Sequence, residues 1–335
     1  MIASKALAAR LAAYRQPSLG RSLWQLGNSA ILFAGTWALM YWLLDVSYAL
    51  SLALVVPAAF FLIRLFIIQH DCGHGSFFRS PRLANAVGRV IGVFTLTPYA
   101  YWRKTHAIHH ATSGHLEHRG FGDICTKTVN EYLALSRWER LKHRIYRNPF
   151  VLFGVGAALH FVVLHRIPWR VPRAWTRERA SIVLTNVAIA AVVTTVGLTL
   201  GWRELLMVQL PITLVASSLG VWLFYVQHQF EDTYWERDPA WTYEAAALEG
   251  SSYLALPKPL QWATGNIGLH HVHHLNARIP NYRLPEVLNE NPELERVSRL
   301  TLRESLRCAR LALWDESARK LVGFRQARKI ERARA

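Results

Sequence analysis

Four stretches of the chain run for about 20 positions without a charged residue: 25–44, 46–63, 180–202 and 205–227. Each matches the ~20 apolar residues that a helix needs to cross a ~30 Å hydrocarbon core. A buried helix in a soluble enzyme explains one such run, but hardly four. Two shorter apolar segments, 90–101 with Pro98 near its end and 148–164 with His160 inside it, are left open by hydropathy alone. The pattern predicts an all-α integral membrane protein with four transmembrane helices, interfacial helices and a cytoplasmic helical cap. The whole of 1–335 reads as a single domain, with an N-terminal segment 1–24, a membrane core 25–285 and a basic tail 286–335.

The polar positions give the orientation. The chain carries 39 Lys and Arg against 22 Asp and Glu, a formal net charge of +17. Lys5, Arg10, Arg15 and Arg21 are spread through an acid-free N-terminus, the connector at 45–47 has no basic residue, and the last 40 residues hold 12 basic and four acidic ones. The positive-inside rule then predicts both termini in the cytoplasm and an even number of crossings. The N-terminal segment, whose composition weakly resembles a transit peptide, reads better as an amphipathic helix on the membrane surface. The spacing of Arg299, Arg303, Arg307 and Arg310 fits a surface helix facing lipid headgroups and no nucleic acid. Cys72, Cys125 and Cys308 show no metal-finger or disulfide spacing.

Histidine changes the picture. Of 15 histidines, eight gather in three clusters at helical spacing: His70 and His74; His106, His109 and His110; His270, His273 and His274. Positions i, i+3 and i+4 share a helix face, so each cluster aims its imidazoles one way. His271 projects off that face and is excluded. His228 sits alone at the end of the fourth long apolar run. His115 and His118 lie out of phase and read as surface or supporting residues, and His143, His160 and His165 as structural ones. Nine imidazoles are too many for one ion and suit two. Zinc, iron, copper and nickel all accept imidazole, but structural zinc recruits four ligands, often cysteines, and haem uses single facing histidines. Two redox-active irons that activate dioxygen fit best, although ligand count alone does not name the metal. A transporter is disfavoured, because its ligands would lie near the bilayer midplane.

If the nine imidazoles meet, their segments share one side of the membrane. The segment 90–101 must then dip or lie in the interface, and 148–164 is the natural one of its three neighbours to leave unspanned. Behind the ligands, Asp71, Asp123, Glu231 and Asp232 are candidates to orient imidazole N–H groups, and Asn266 to hold a metal-bound water. Arg64, inside an apolar run, is a functional candidate by default; snorkelling or a cytoplasmic carboxylate partner would also explain it. Trp102 and Trp262 are candidates to line an acyl channel or to form the interfacial belt, and the belt is favoured.

The stretches His70-Asp71-Cys72-Gly73-His74-Gly75-Ser76-Phe77-Phe78 and Phe224-Tyr225-Val226-Gln227-His228-Gln229-Phe230-Glu231 carry a family resemblance. So does the run from Gly265-Asn266-Ile267-Gly268 through the last cluster to Arg278-Ile279-Pro280-Asn281-Tyr282. Over roughly 25–285 the chain resembles the membrane-bound fatty acid desaturases, closest to the acyl-lipid, Δ12-like branch. The resemblance implies a di-iron centre on the nine histidines, O2 as co-substrate, and a cis double bond placed in a fatty acyl chain, carried on a lipid or on CoA. Methylene C–H bonds are not acidic, so a metal cofactor must carry the chemistry. The alternative is a sister hydroxylase or ketolase on the same scaffold. With no cytochrome b5-like domain fused, electrons are expected from an external ferredoxin- or cytochrome b5-like donor, at the cytoplasmic face of a bacterial inner membrane. Gly114-His115-Leu116-Glu117-His118 departs from the family pattern.

Overall fold

A computed structural model describes residues 5–334. It is mostly helical. Val55–His74 is the central element, packing against Leu19–Leu43, Pro81–Phe94 and Trp202–His228. Met40, Val55, Ala58, Ala59, Val208, Ile212 and Ala216 fill the space between three of these helices. The small residues let the backbones approach closely, which is how helices associate where lipid is as apolar as leucine. Thr176–Leu200 turns directly into Trp202–His228 at Gly201, whose φ of +99° only glycine adopts without strain. Its outer face presents Val183, Leu184, Val187 and Leu198.

Among the described residues, three helices are long and apolar enough to cross a membrane: Val55–His74, Thr176–Leu200 and Trp202–His228. A fourth span passes only as the pair Arg137–Tyr146 and Val151–Arg166, bent by 61°. The expected first span forms a 25-residue helix, Leu19–Leu43, uncharged from Ser22 onward and with Trp24, Ile31, Leu39 and Trp42 facing out. Asn28, Ser29 and its glycines dilute its apolarity.

The expected second span, 46–63, is displaced. The chain forms a short helix, Tyr48–Ala53, breaks at Leu54, and runs as one helix from Val55 to His74. Arg64 ends the uncharged run without ending the helix, because tertiary contacts satisfy it. Its Nε donates to Ser29 Oγ at 3.1 Å, its Nη1 donates to the Trp262 carbonyl, and the guanidinium lies 4.1 Å from the Trp262 ring. Arg64 therefore neither snorkels nor meets a carboxylate.

The segment 90–101 is the end of one 14-residue helix, a turn through Leu96, Thr97 and Pro98, and the start of another, each too short to cross. The segment 148–164 is likewise broken, into a π-helical turn Val151–Val155 and the helix Gly156–Val162.

The cap departs from an all-helical reading. Lys127–Thr128, Leu313–Asp315 and Lys320–Val322 form a three-stranded sheet, and Tyr253–Ala255 pairs in parallel with Arg299–Thr301. Of the regularly spaced arginines, Arg299 lies on a strand, Arg303 and Arg307 on the helix Leu302–Cys308, and Arg310 beyond it. The N-terminal helix Lys5–Ala12 turns Leu7 and Leu11 onto protein: with Tyr14 they are buried against Tyr253, Val272, Ile279 and Leu284, on the underside of the last histidine cluster. Arg21 pairs with Glu286 beside it.

Candidate metal centre

Four elements bring the imidazoles together. Val55–His74 presents His70 and His74 from its last turn, with ring centroids 4.6 Å apart. Tyr99–Thr112 presents His106, His109 and His110, Trp202–His228 ends on His228, and the six-residue helix His270–Leu275 presents the last three. That short helix is positioned by a close backbone contact: Leu254 N–H donates to the Gly268 carbonyl at 2.8 Å, and a Cβ on Gly268 would meet the Leu254 carbonyl oxygen at 2.6 Å.

The nine histidines expected as ligands fall into two groups, and no other histidine joins them among the described residues. His70, His74, His106, His110 and His273 form one; His109, His228, His270 and His274 form the other; within each, one nitrogen per ring lies within 4.8 Å of all the rest. His110 and His274 stack at 4.0 Å across the two groups. Nε2 atoms approach to 3.0–3.1 Å in the pairs His106–His110, His110–His273, His109–His228 and His228–His270. Two nitrogens ~2.1 Å from one ion at a right angle stand about 3 Å apart, so these edges have the size of a coordination polyhedron. A donor set of imidazoles alone suits a borderline transition metal and not calcium or magnesium.

The protonation states agree. Burial first, then the neighbouring imidazoles, hold His106, His110, His270, His273 and His274 well below the usual histidine range, so they are neutral with free lone pairs. His70 Nε2, His74 Nε2 and His274 Nε2 are buried without a hydrogen-bond partner. Orphaned polar atoms are rare in protein interiors, and these nitrogens within the two imidazole groups fit a pair of metal ions.

The outer nitrogens are held from behind. His70 Nδ1 donates to Asp71 Oδ1 at 3.0 Å, and the other oxygen of that carboxylate accepts the backbone and side-chain N–H groups of Asn281 at 2.7 and 2.9 Å. His109 Nδ1 donates to Asp123 Oδ1, and His228 Nδ1 donates to the Gly250 carbonyl at 3.0 Å. In all three rings Nε2 is left free to face its group. Asn266 stands one step back, its Nδ2 donating to the Asn281 carbonyl at 3.2 Å. Glu231 and Asp232 lie elsewhere: both carboxylates are exposed against Lys320 and touch no imidazole. Their proximity to His228 in sequence misleads because the helix stops at His228 and the chain turns outward. Sequence reasoning does not single out Asn281 or Gly250 as supports. Asn281 lies within one of the family-like stretches, whereas a backbone carbonyl such as that of Gly250 has no signature in sequence.

A cavity of about 400 Å³ opens beside the first group, lined by His74, Tyr99, Trp102 and His106, with Arg89, Arg103, Lys104 and Arg177 around it. Trp102 stacks on His106 at 4.5 Å and so lines this cavity, not the interfacial belt. Trp262 is partly exposed and carries Arg64. His271 faces away, donating to the Leu294 carbonyl at 3.0 Å, and His115 and His118 stand apart with Asp238.

The sequence has known relatives. The family model for fatty acid desaturases matches residues 45–304. A fatty acid desaturase of Bacillus subtilis is 50% identical over 327 residues, covering 97% of this chain and 92% of that protein. A ferredoxin-linked sn-1 acyl-lipid omega-3 desaturase of Synechocystis sp. is 27% identical, with 80% of this chain and 74% of the relative covered. A chloroplastic, temperature-sensitive sn-2 acyl-lipid omega-3 desaturase of Arabidopsis thaliana is 26% identical; this chain spans 52% of its length. Histidines buried as two facing groups, brought together by two long apolar helices and two short ones, in a chain matched along most of its length, leave one conclusion: it belongs to the fatty acid desaturase family, as an oxidoreductase of the membrane.

Proposed function

We propose that His70, His74, His106, His110 and His273 hold one iron ion and His109, His228, His270 and His274 a second. The reaction would place a cis double bond in an acyl chain of a membrane lipid. The observation that carries this reading is the pair of all-imidazole groups, with unpartnered nitrogens, beside a cavity that reaches His74 and His106. Bound irons would supply the oxidising power: two adjacent methylenes lose two hydrogens, and O2 with two electrons and two protons leaves as two waters.

The protein's residues do the rest. Asp71, Asp123 and the Gly250 carbonyl fix three rings in the tautomer that turns Nε2 to the metal. Asn266 steadies Asn281 and through it Asp71. Trp102 forms the wall against which an acyl chain would be positioned. Arg89, Arg103 and Arg177 at the cavity suit the phosphate of a lipid headgroup. The whole chain would act as one unit, since the N-terminal helix and the tail both pack onto 25–285. The basic N-terminus and tail support an active site on the cytoplasmic side of a bacterial inner membrane. They also suit a small acidic electron carrier of the ferredoxin or cytochrome b5 type. Turnover with purified ferredoxin should then fall steeply as salt rises.

The test is the fatty acid profile, by gas chromatography and mass spectrometry, of a host without polyunsaturated lipids. A new double bond present with the wild type and absent with His273→Ala is expected. No new double bond, with iron-loaded protein in the membrane and a reductant supplied, would refute the reading.

A further inference from the structure

The chain after the second histidine cluster turns at Gly114 and runs beside the segment that follows the last long helix. Leu116 N–H donates to the Glu236 carbonyl and Glu236 N–H to the Gly114 carbonyl, both at 2.9 Å, and Trp241 Nε1 donates to the Ser113 carbonyl at 3.0 Å. Where the two segments cross, His115, His118 and Asp238 converge, each offering a nitrogen or oxygen within 4.8 Å of the other two. None of them takes part in the two imidazole groups described above.

We propose that His115, His118 and Asp238 form a third metal site, which takes a zinc-type divalent ion. Two imidazoles and a carboxylate are a donor set that zinc uses. His115 Nε2 and Asp238 Oδ1 are 3.2 Å apart, and the two imidazole rings 4.4 Å. Two ligand atoms ~2.0 Å from one ion at a tetrahedral angle stand about 3.3 Å apart, so the pair is already at the right separation.

His115 is held as a ligating histidine is held. It is buried, its ring lies 5.2 Å from that of Trp241, and its Nδ1 is 3.4 Å from Glu117 Oε2. A carboxylate behind the outer nitrogen is the usual support for a ligand imidazole. Without metal, Nδ1 accepts the Glu117 N–H at 3.2 Å and Nε2 donates to Asp238. Metal binding at Nε2 moves that proton to Nδ1, where Glu117 Oε2 accepts it in place of the bond from the Glu117 N–H, which turns to solvent, and no proton is released. His118 and Asp238 are exposed, so the ion arrives from solvent. Once bound, it pins the 114–118 turn to the 236–241 segment. Ser113, the residue just before that turn, stands behind the imidazole groups: its Oγ lies 3.5 Å from His228 Nδ1.

The test uses full-length, iron-loaded protein in detergent, titrated with zinc salt alone and assayed for metals after free ions are removed. The wild type should take up about one zinc per chain while keeping its iron. Zinc affinity should fall at least tenfold in His118→Ala and in Asp238→Asn, and uptake should vanish in the double variant. Retained iron in that variant shows that the fold survives. Cobalt(II) in place of zinc should give a visible absorption band in the wild type that the double variant lacks. Equal zinc uptake by wild type and double variant, or zinc bound only as iron is displaced, would overturn the site.

Discussion

Replacing Asp71 by Asn tests how the first imidazole group is held. The carboxylate is buried and accepts three hydrogen bonds, one from His70 Nδ1 and two from Asn281. An amide of the same shape has one accepting oxygen and an NH2 that donates. If the oxygen serves His70, the two Asn281 N–H groups face a donor; if it serves Asn281, the imidazole does. A buried donor stripped of its acceptor costs about 1–3 kcal/mol. Loss of the partner behind a ligand imidazole weakens metal binding by about 10–100-fold, or about 1.4–2.7 kcal/mol. Iron per chain, measured after dialysis against a graded chelator, should fall by about half in Asp71→Asn at concentrations the wild type withstands, because only the five-imidazole group contains His70. Asp123→Asn, behind His109, should lose the other iron, and Mössbauer spectra of the two variants should retain different components. Asp71→Asn protein with wild-type iron retention and wild-type Tm would show that the carboxylate does not hold the ring.

Three further outcomes are expected. Trp102→Ala removes the ring stacked on His106 and opens the cavity wall, so turnover should drop at least tenfold with iron content near wild type; unchanged turnover would place the acyl chain elsewhere. Gly268→Ala drives a Cβ into the Leu254 carbonyl, and should lower Tm by an overpacking cost of about 1–3 kcal/mol and release iron, both measurable in detergent. His271, which binds no metal in this reading, is held by burial at about 4. The unfolded chain takes up a proton near pH 6.5 that the folded chain refuses until about 4. Its share of stability is therefore intact above pH 6.5 and lost as pH falls toward 4, by up to about 3 kcal/mol. His271→Asn keeps a donor for the Leu294 carbonyl and should flatten the acid limb of the stability profile, read as Tm against pH.

The histidines that converge are legible in the sequence because most of the signal rests on short-range geometry. Spacings of three and four residues fix which imidazoles share a helix face; that rule selects eight histidines and sets His271 aside, as the two groups have it, and the ninth, His228, is marked only by its place at the end of a long apolar run. The long apolar runs are legible for a similar reason: hydrocarbon accepts only chain that satisfies its own backbone and carries few charges. Where the span 46–63 misleads, the missing information is a distant partner. A charge ends a hydropathy window, yet Arg64 stays inside the helix because Ser29 and the Trp262 carbonyl, 35 and 198 residues away, receive it. The same holds for Glu231, near a ligand in sequence and far from it in space, and for Leu7 and Leu11, whose apolar face finds protein instead of lipid.

The sequence by itself thus determined that long apolar helices build the chain, which histidines converge and the family to which the chain belongs. Periodicity, charge content and motif strings are all local properties of the chain. Only the tertiary structure decided how the nine imidazoles divide into five and four, which carboxylates stand behind them, and that Trp102 lines the cavity. It also decided that His115 and His118 meet Asp238. These are contacts between residues tens to hundreds of positions apart, set by how helices pack and where loops cross, and no spacing along the chain encodes them.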